Sequence, residues 1–193
     1  MRKVVVINHV TLDGVMQAPG YPDEDTRGGF AHGGWAAPRG DEETVNKVGE
    51  RMGGDNAYLF GRWTYEDLLA SWNRQGGPFK DALNSTQKYV ASRSPAMKLE
   101  WPNSTLLQGD VPAAVAELKQ ESGGNLVIMG SGELIGSLMA ADLIAEYLLM
   151  IHPLVLGSGR RLFPEGAHAS LRLTHGMTTT KGVVIATYEP ARE

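Results

Sequence analysis

Short runs rich in β-branched and aromatic residues recur along the whole chain and alternate with helix-patterned stretches. That pattern restricts the fold to a sheet with helices packed on it. Strands are expected over Lys3 to Thr11, Ala57 to Phe60, Lys88 to Ala91, Thr105 to Gln108, Asn125 to Met129, Ala145 to Leu156, Leu171 to Met177 and Val183 to Tyr188. Helices are expected over Asp41 to Met52, over Pro112 to Glu121 with Asp110 as N-cap, and over Gly132 to Ala140. In the last of these, Leu134, Ile135, Leu138 and Met139 form an inward stripe at helical spacing. A helical crossover returns the chain to the same end of the sheet, so pairing in the middle should be parallel. The last two strands are joined by the short polar link Thr178 to Gly182 and should form an antiparallel hairpin at the sheet edge. The expected architecture is α/β, a mixed eight-stranded sheet with helices on both faces, forming one domain over residues 1–193.

Composition narrows the function classes. A net charge of −4 supplies no basic field for a phosphate backbone, so no nucleic-acid partner is expected. With no cysteine, the chain has no disulfides, thiolate metal ligands or thiol nucleophiles, which fits a reducing, cytoplasmic setting. The apolar run Val4 to Ile7 is cut by Asn8-His9, far short of a signal or spanning segment, and no other run reaches the ~20 residues a membrane helix needs. The five histidines show no metal spacing, and His152 falls inside a strand pattern as a core or interface residue. No metal site is expected.

Residues 19 to 40 hold Pro19-Gly20, Gly28-Gly29, Gly33-Gly34 and Pro38, too many breakers for regular structure. A loop this long is either a lid or a surface excursion. Phe30 and Trp35 favour the lid, since an aromatic ring there can close over a planar ligand.

Three strand ends carry anion-friendly chemistry. Met129-Gly130-Ser131-Gly132-Glu133-Leu134 follows an apolar strand and opens a helix, where unpaired backbone N–H groups and the helix dipole favour a phosphate. The dinucleotide fingerprint fails because Gly136 falls one position late, and a plain tight turn is the competing reading. Phe60-Gly61-Arg62-Trp63-Thr64 offers a close backbone approach and a guanidinium, or simply a capped helix with a solvated arginine. Ala91-Ser92-Arg93 adds a hydroxyl and a second guanidinium. All three lie beyond the carboxyl ends of expected strands, where open α/β sheets bind ligands.

In that order, Thr11-Leu12-Asp13-Gly14, Gly61-Arg62-Trp63-Thr64-Tyr65-Glu66, Ser92-Arg93 and Gly130-Ser131-Gly132 resemble the dihydrofolate reductase-like family. Pro153-Leu154-Val155-Leu156-Gly157-Ser158-Gly159-Arg160-Arg161-Leu162-Phe163 is similar to the branch containing the reductase domain of riboflavin biosynthesis. The resemblance implies the three-layer dihydrofolate reductase-like fold and an extended NADPH across the strand ends. It further implies that Gly61, Arg62 and Thr64 meet the cofactor phosphates, that Ser92 and Arg93 meet the adenosine 2′-phosphate, and that Gly130, Ser131, Gly132, Glu133 and Leu134 meet the pyrophosphate. It also implies a small-molecule substrate and a homodimer paired through sheet-edge surfaces.

The chain departs from that family at the carboxylate that assists protonation. The corresponding neighbourhood is Val45, while Asp41, Glu42 and Glu43 lie a turn earlier and suit the exposed start of a helix. Asp13 is the better candidate for catalytic contact with substrate, or else a turn aspartate bonded to its own backbone. The basic turn at Gly157 to Arg161 faces either a substrate phosphate or solvent. The zinc deaminase fused to the bifunctional riboflavin enzymes needs cysteine ligands, so a stand-alone reductase is expected. The resulting expectation is an NADPH-dependent reductase of a small heterocycle, similar to phosphoribosylaminouracil reductase or dihydrofolate reductase. The alternative is a non-catalytic NADP(H)-binding or sensing module.

Overall fold

A computed structural model describes residues 1–191 of the chain. Within them the order is β1 (Val4–Thr11), α1 (Glu42–Met52), β2 (Ala57–Gly61), α2 (Arg62–Gln75), α3 (Pro78–Ser85), β3 (Lys88–Ala91), β4 (Ser104–Leu107), α4 (Val111–Leu118), β5 (Leu126–Met129), α5 (Gly132–Ala140), β6 (Ile144–His152), β7 (Leu171–Thr178) and β8 (Val184–Pro190). The strands form one mixed sheet in the order β4-β3-β2-β5-β1-β6-β8-β7. Two compact units make up the chain, Met1–Val5 with Gly54–Leu143 and Val6–Gly53 with Ile144–Glu193. β1 contributes Val4 and Val5 to the first unit and its remaining residues to the second.

In the first unit β2 pairs in parallel with both β3 and β5, and β3 pairs in parallel with β4. Ala57 to Phe60 and Leu126 to Ile128 are all buried, which is why these strands read as continuous apolar runs without alternation. Helix α2 lays Tyr65 and Leu69 against β2 and β3, and α5 buries Leu134, Ile135 and Leu138. Each such side chain contributes about 2 kcal/mol of burial. Asp110 caps α4 by accepting from the Ala113 N–H at 3.1 Å, as its position before Val111-Pro112 predicts. Helix α3 is an element the sequence pattern does not announce. Eight residues are too few to hold a helix alone. It is supported by an edge-to-face Trp72–Phe79 contact with α2, centroids 4.5 Å apart, and by reciprocal Asn73–Asn84 amide bonds. At its C-terminus the buried Lys88 Nζ donates to the carbonyls of Leu83 and Thr86 at 2.5 and 2.6 Å.

In the second unit β8 pairs antiparallel with β6 and with β7. The expected terminal hairpin is therefore present, with a register shift between Leu173 and His175. β6 stops at His152, not at Leu156. Pro153 has no N–H for the ladder, and the Leu154 N–H turns back to the His152 carbonyl at 2.8 Å. α1 starts where Asp41 accepts from the Thr44 N–H at 2.8 Å, so Asp41, Glu42 and Glu43 form a capped first turn and Val45 faces solvent.

The 19–40 segment corrects the expectation of a lid. It contains two short 3-10 turns, Arg27–Gly29 and Ala37–Arg39. Phe30 and Trp35 are each only 6% exposed, packed with Val15, Ala18 and Ala36 and against Leu154 and Leu156. The Trp35 Nε1–H donates to the Gln17 carbonyl at 2.7 Å, and the Gln17 amide donates to the carbonyls of Asp25 and Arg27. The two aromatics are the segment's own core, with no free face for a planar ligand. Gly159 completes this packing: at φ +111° its missing Cβ leaves room for Phe30 and Val15, which a side chain would meet at 2.7 and 2.8 Å.

Candidate functional site

The three strand ends singled out by residue type lie on neighbouring strands of the first unit. β3, β2 and β5 are adjacent and parallel, and Gly61 stands opposite Ala91 in register, so the carboxyl ends of these strands open in one direction. Two of the junctions are bonded together. The Ser131 N–H donates to Thr64 Oγ1 at 2.9 Å, and the Gly61 N–H donates to Ser131 Oγ at 3.0 Å. Ser131 is held in the left-handed region at φ 54°, ψ 41°, an unfavourable conformation for a residue with a Cβ that survives only where its surroundings dictate it. Gly130, at φ +57°, is required by the same contact, because a Cβ would meet Thr64 Oγ1 at 2.8 Å.

Neither α2 nor α5 has a side-chain N-cap. Two helix amino termini therefore sit at the ends of paired strands, each carrying the partial positive charge of its helix dipole. Around them Arg62 is exposed and forms an ion pair with Glu66 at 2.9 Å. Arg93 is 95% exposed, its Nη2 3.1 Å from Glu133 Oε2. Ser92 Oγ accepts from the Ser94 N–H at 3.1 Å, which turns the chain just after β3. Leu134 sends its side chain into the core, so its contribution to any bound anion is its backbone N–H. Cations and small residues of this kind fit an extended, multiply phosphorylated ligand, the class to which the NADPH expected from the resemblance belongs.

Asp13 belongs to the second unit. Its carboxylate accepts from Thr11 Oγ1 at 2.5 Å, from the Gly157 N–H at 2.8 Å and from the Leu156 N–H at 3.2 Å. The Thr11 hydroxyl foremost, then the two backbone donors, hold its pKa down to about 2. A carboxylate with three donors and so low a pKa is an acceptor at neutral pH and anchors the turn after β6. Arg160 and Arg161 in that turn are exposed, while the Arg160 N–H donates to Gln17 Oε1 at 2.9 Å.

One pair of groups in this unit was not foreseen. His9 Nδ1 and His152 Nε2 are 2.8 Å apart, and the Trp35 ring stands edge-on to His152, centroids 5.2 Å apart. His152 is 1% exposed and its Nδ1 has no partner. An orphaned acceptor costs less than an orphaned N–H, so the favoured tautomer has His152 donating from Nε2 to His9. Burial, reinforced at His9 by His152 and at His152 by Arg39, draws both pKa values down to about 4. No local pattern announces the pair, because its members are 143 residues apart and meet only through the fold.

The model of a family described as the RibD C-terminal domain matches residues 2–185. The uncharacterized protein YwjB of Bacillus subtilis (strain 168) is 34% identical over 122 residues, 58% of this chain and 66% of its own length, so the match spans slightly less than two thirds of that relative. Among solved structures, a protein attributed to riboflavin biosynthesis from Shewanella sp. PV-4 superposes with a TM-score of 0.72 at 22% identity, covering 98% of this chain and 99% of that one. Dihydrofolate reductase from Enterococcus faecalis, complexed with NADP(H) and RAB-propyl, superposes with a TM-score of 0.63 at 15% identity, covering 98% and 97%. The fold is the three-layer dihydrofolate reductase-like α/β architecture.

Proposed function

Because the chain belongs to the RibD C-terminal domain family, whose fold it shares with dihydrofolate reductase, we propose that it is an NADPH-dependent reductase of a small heterocyclic substrate. The observation that carries this reading is the convergence of Ser92–Arg93, Gly61–Thr64 and Gly130–Leu134 at the carboxyl ends of β3, β2 and β5, two of them tied by Ser131. The first turns of α2 and α5 bind the pyrophosphate, with Arg62 as a counter-charge, and Arg93 takes the adenosine 2′-phosphate. The reduced nicotinamide, when bound, supplies the hydride.

For the substrate side, Asp13 acts as a positioning residue. It holds the Leu156–Gly157 turn by accepting two backbone N–H bonds, and as a low-pKa carboxylate it does not deliver the proton. A homodimer is part of the proposal. Strand β7 ends the sheet and is exposed along most of its length, including Leu173, which is the kind of edge that a second strand or subunit covers. Cytoplasmic residence rests on the absence of cysteine and of any helix, among the described residues, long and apolar enough to cross a membrane.

The reading is tested by titrating NADPH calorimetrically into the wild type and Arg93→Ala, then following NADPH oxidation with pterins, flavins and pyrimidine intermediates. We expect micromolar binding weakened at least about tenfold by Arg93→Ala, the value of a charge-assisted phosphate contact. Equal affinity of the two proteins rejects that role for Arg93. The second reading, an NADP(H)-binding module without turnover, is favoured by the exposed Val45 where the related enzymes carry a carboxylate. Oxidation with any member of the panel eliminates it.

A further inference from the structure

Glu133 is an acidic residue at the strand end of β5, where the surrounding groups otherwise attract anions. It sits in the first turn of α5, at the positive end of the helix dipole, and its Oε2 lies 3.1 Å from Arg93 Nη2. Those are the two contacts a phosphate would make there: a helix amino terminus and a guanidinium. We propose that Glu133 is an internal stand-in for phosphate, which occupies Arg93 and thereby sets how strongly the protein distinguishes 2′-phosphorylated from unphosphorylated dinucleotides. This rests on the reading of the first unit as an NADP(H) site.

The physics fixes the direction. Both partners are largely exposed, 95% for Arg93 and 68% for Glu133, so the ion pair is weak and readily exchanged. A ligand lacking the 2′-phosphate leaves the pair intact, so Arg93 goes on neutralising the carboxylate beside the pyrophosphate. A ligand carrying it must draw Arg93 away from Glu133 and then bear the repulsion of the carboxylate nearby. Glu133 therefore lowers affinity for the phosphorylated ligand selectively. Its backbone contributes to α5 in the ordinary way, with the Ser137 hydroxyl donating to the Glu133 carbonyl at 3.1 Å, so neutralising the side chain leaves the helix in place. The partners are 40 residues apart, one after β3 and one after β5, the strands on either side of β2 in the sheet.

The test is calorimetric titration of NADPH, NADH, 2′,5′-ADP and 5′-AMP into wild type, Glu133→Gln, Arg93→Ala and the double variant, with thermal melting to verify each fold. Glu133→Gln should tighten NADPH and 2′,5′-ADP by about three- to fivefold, the scale of an exposed ion pair, and leave NADH and 5′-AMP within about twofold. The gain should fade toward 0.5 M salt, where the screening length falls to roughly 4 Å, and should shrink sharply in the Arg93→Ala background. An unchanged or weaker NADPH affinity, or equal tightening of phosphorylated and unphosphorylated ligands, overturns the proposal while leaving the NADP(H) site standing. Failure of wild type to bind any of the four ligands removes the site itself, and the role of Glu133 with it.

Discussion

At the scale of single residues, buried or well-satisfied charges mark where substitution will be felt. Asp13→Asn replaces a carboxylate that accepts from Thr11 Oγ1 and from the N–H groups of Leu156 and Gly157. Loss of charge assistance should lower stability by about 1–2 kcal/mol and speed amide exchange at residues 156 and 157, measured by urea unfolding and by proton exchange. Exchange unchanged at those two amides would mean the carboxylate does not hold the turn. Lys88 is fully buried, with two carbonyls on its Nζ, and burial alone draws its pKa down to about 8. Lys88→Met keeps the volume but orphans the Leu83 and Thr86 carbonyls. The expected cost is about 2 kcal/mol at pH 7 by denaturant unfolding, with α3 the first segment to lose exchange protection. Both carbonyls on Lys88 and the Thr11 hydroxyl on Asp13 come from nearby residues, whereas the Leu156 and Gly157 amides lie 143 and 144 residues from Asp13. In the sequence Asp13 reads equally as a catalytic group and as a turn residue, and the fold adds that its carboxylate accepts from the Leu156 and Gly157 amides.

Elements were legible in proportion to how local their causes are. The β-branched and aromatic runs around β1, β2, β3 and β5 mark strands on their own, and Asp41 and Asp110 announce the starts of α1 and α4. The end of β6 was obscured because the apolar run continues through Leu154-Val155-Leu156 while Pro153 ends the ladder. α3 was hidden because its stability lies in the contact with α2. The 19–40 segment shows the same division. Its glycines and prolines correctly exclude long elements, yet its core joins Val15, Phe30 and Trp35 to Leu154 and Leu156, a set no window of sequence contains. Trp35→Ala should therefore cost about 3 kcal/mol and make residues 19–40 the preferred site of limited proteolysis. A free lid would instead become no more sensitive than it already is.

At the scale of the whole molecule, the His9–His152 pair links stability to acidity. Both imidazoles have native pKa values near 4 against an unfolded value of 6.5, so between those limits the unfolded chain binds more protons and stability rises with pH. Acidification from pH 6.5 to 4 should remove on the order of 3 kcal/mol through this pair, the two sites titrating as a coupled unit. His9→Gln should flatten that part of the profile when urea midpoints are compared across the range, and an unflattened slope would place its origin elsewhere. Neighbours within a turn or two account for the strand and helix periods, the caps, and the glycine, hydroxyl and guanidinium chemistry of Gly61–Thr64, Ser92–Arg93 and Gly130–Leu134, all legible along the chain. Which of those pieces meet depends on the fold as a whole. The Ser131 bridge, the Arg93–Glu133 pair and the two histidines join residues 40 to 143 positions apart. Pairings at that separation are selected by the packing of the sheet as a whole, which no short stretch of residues encodes.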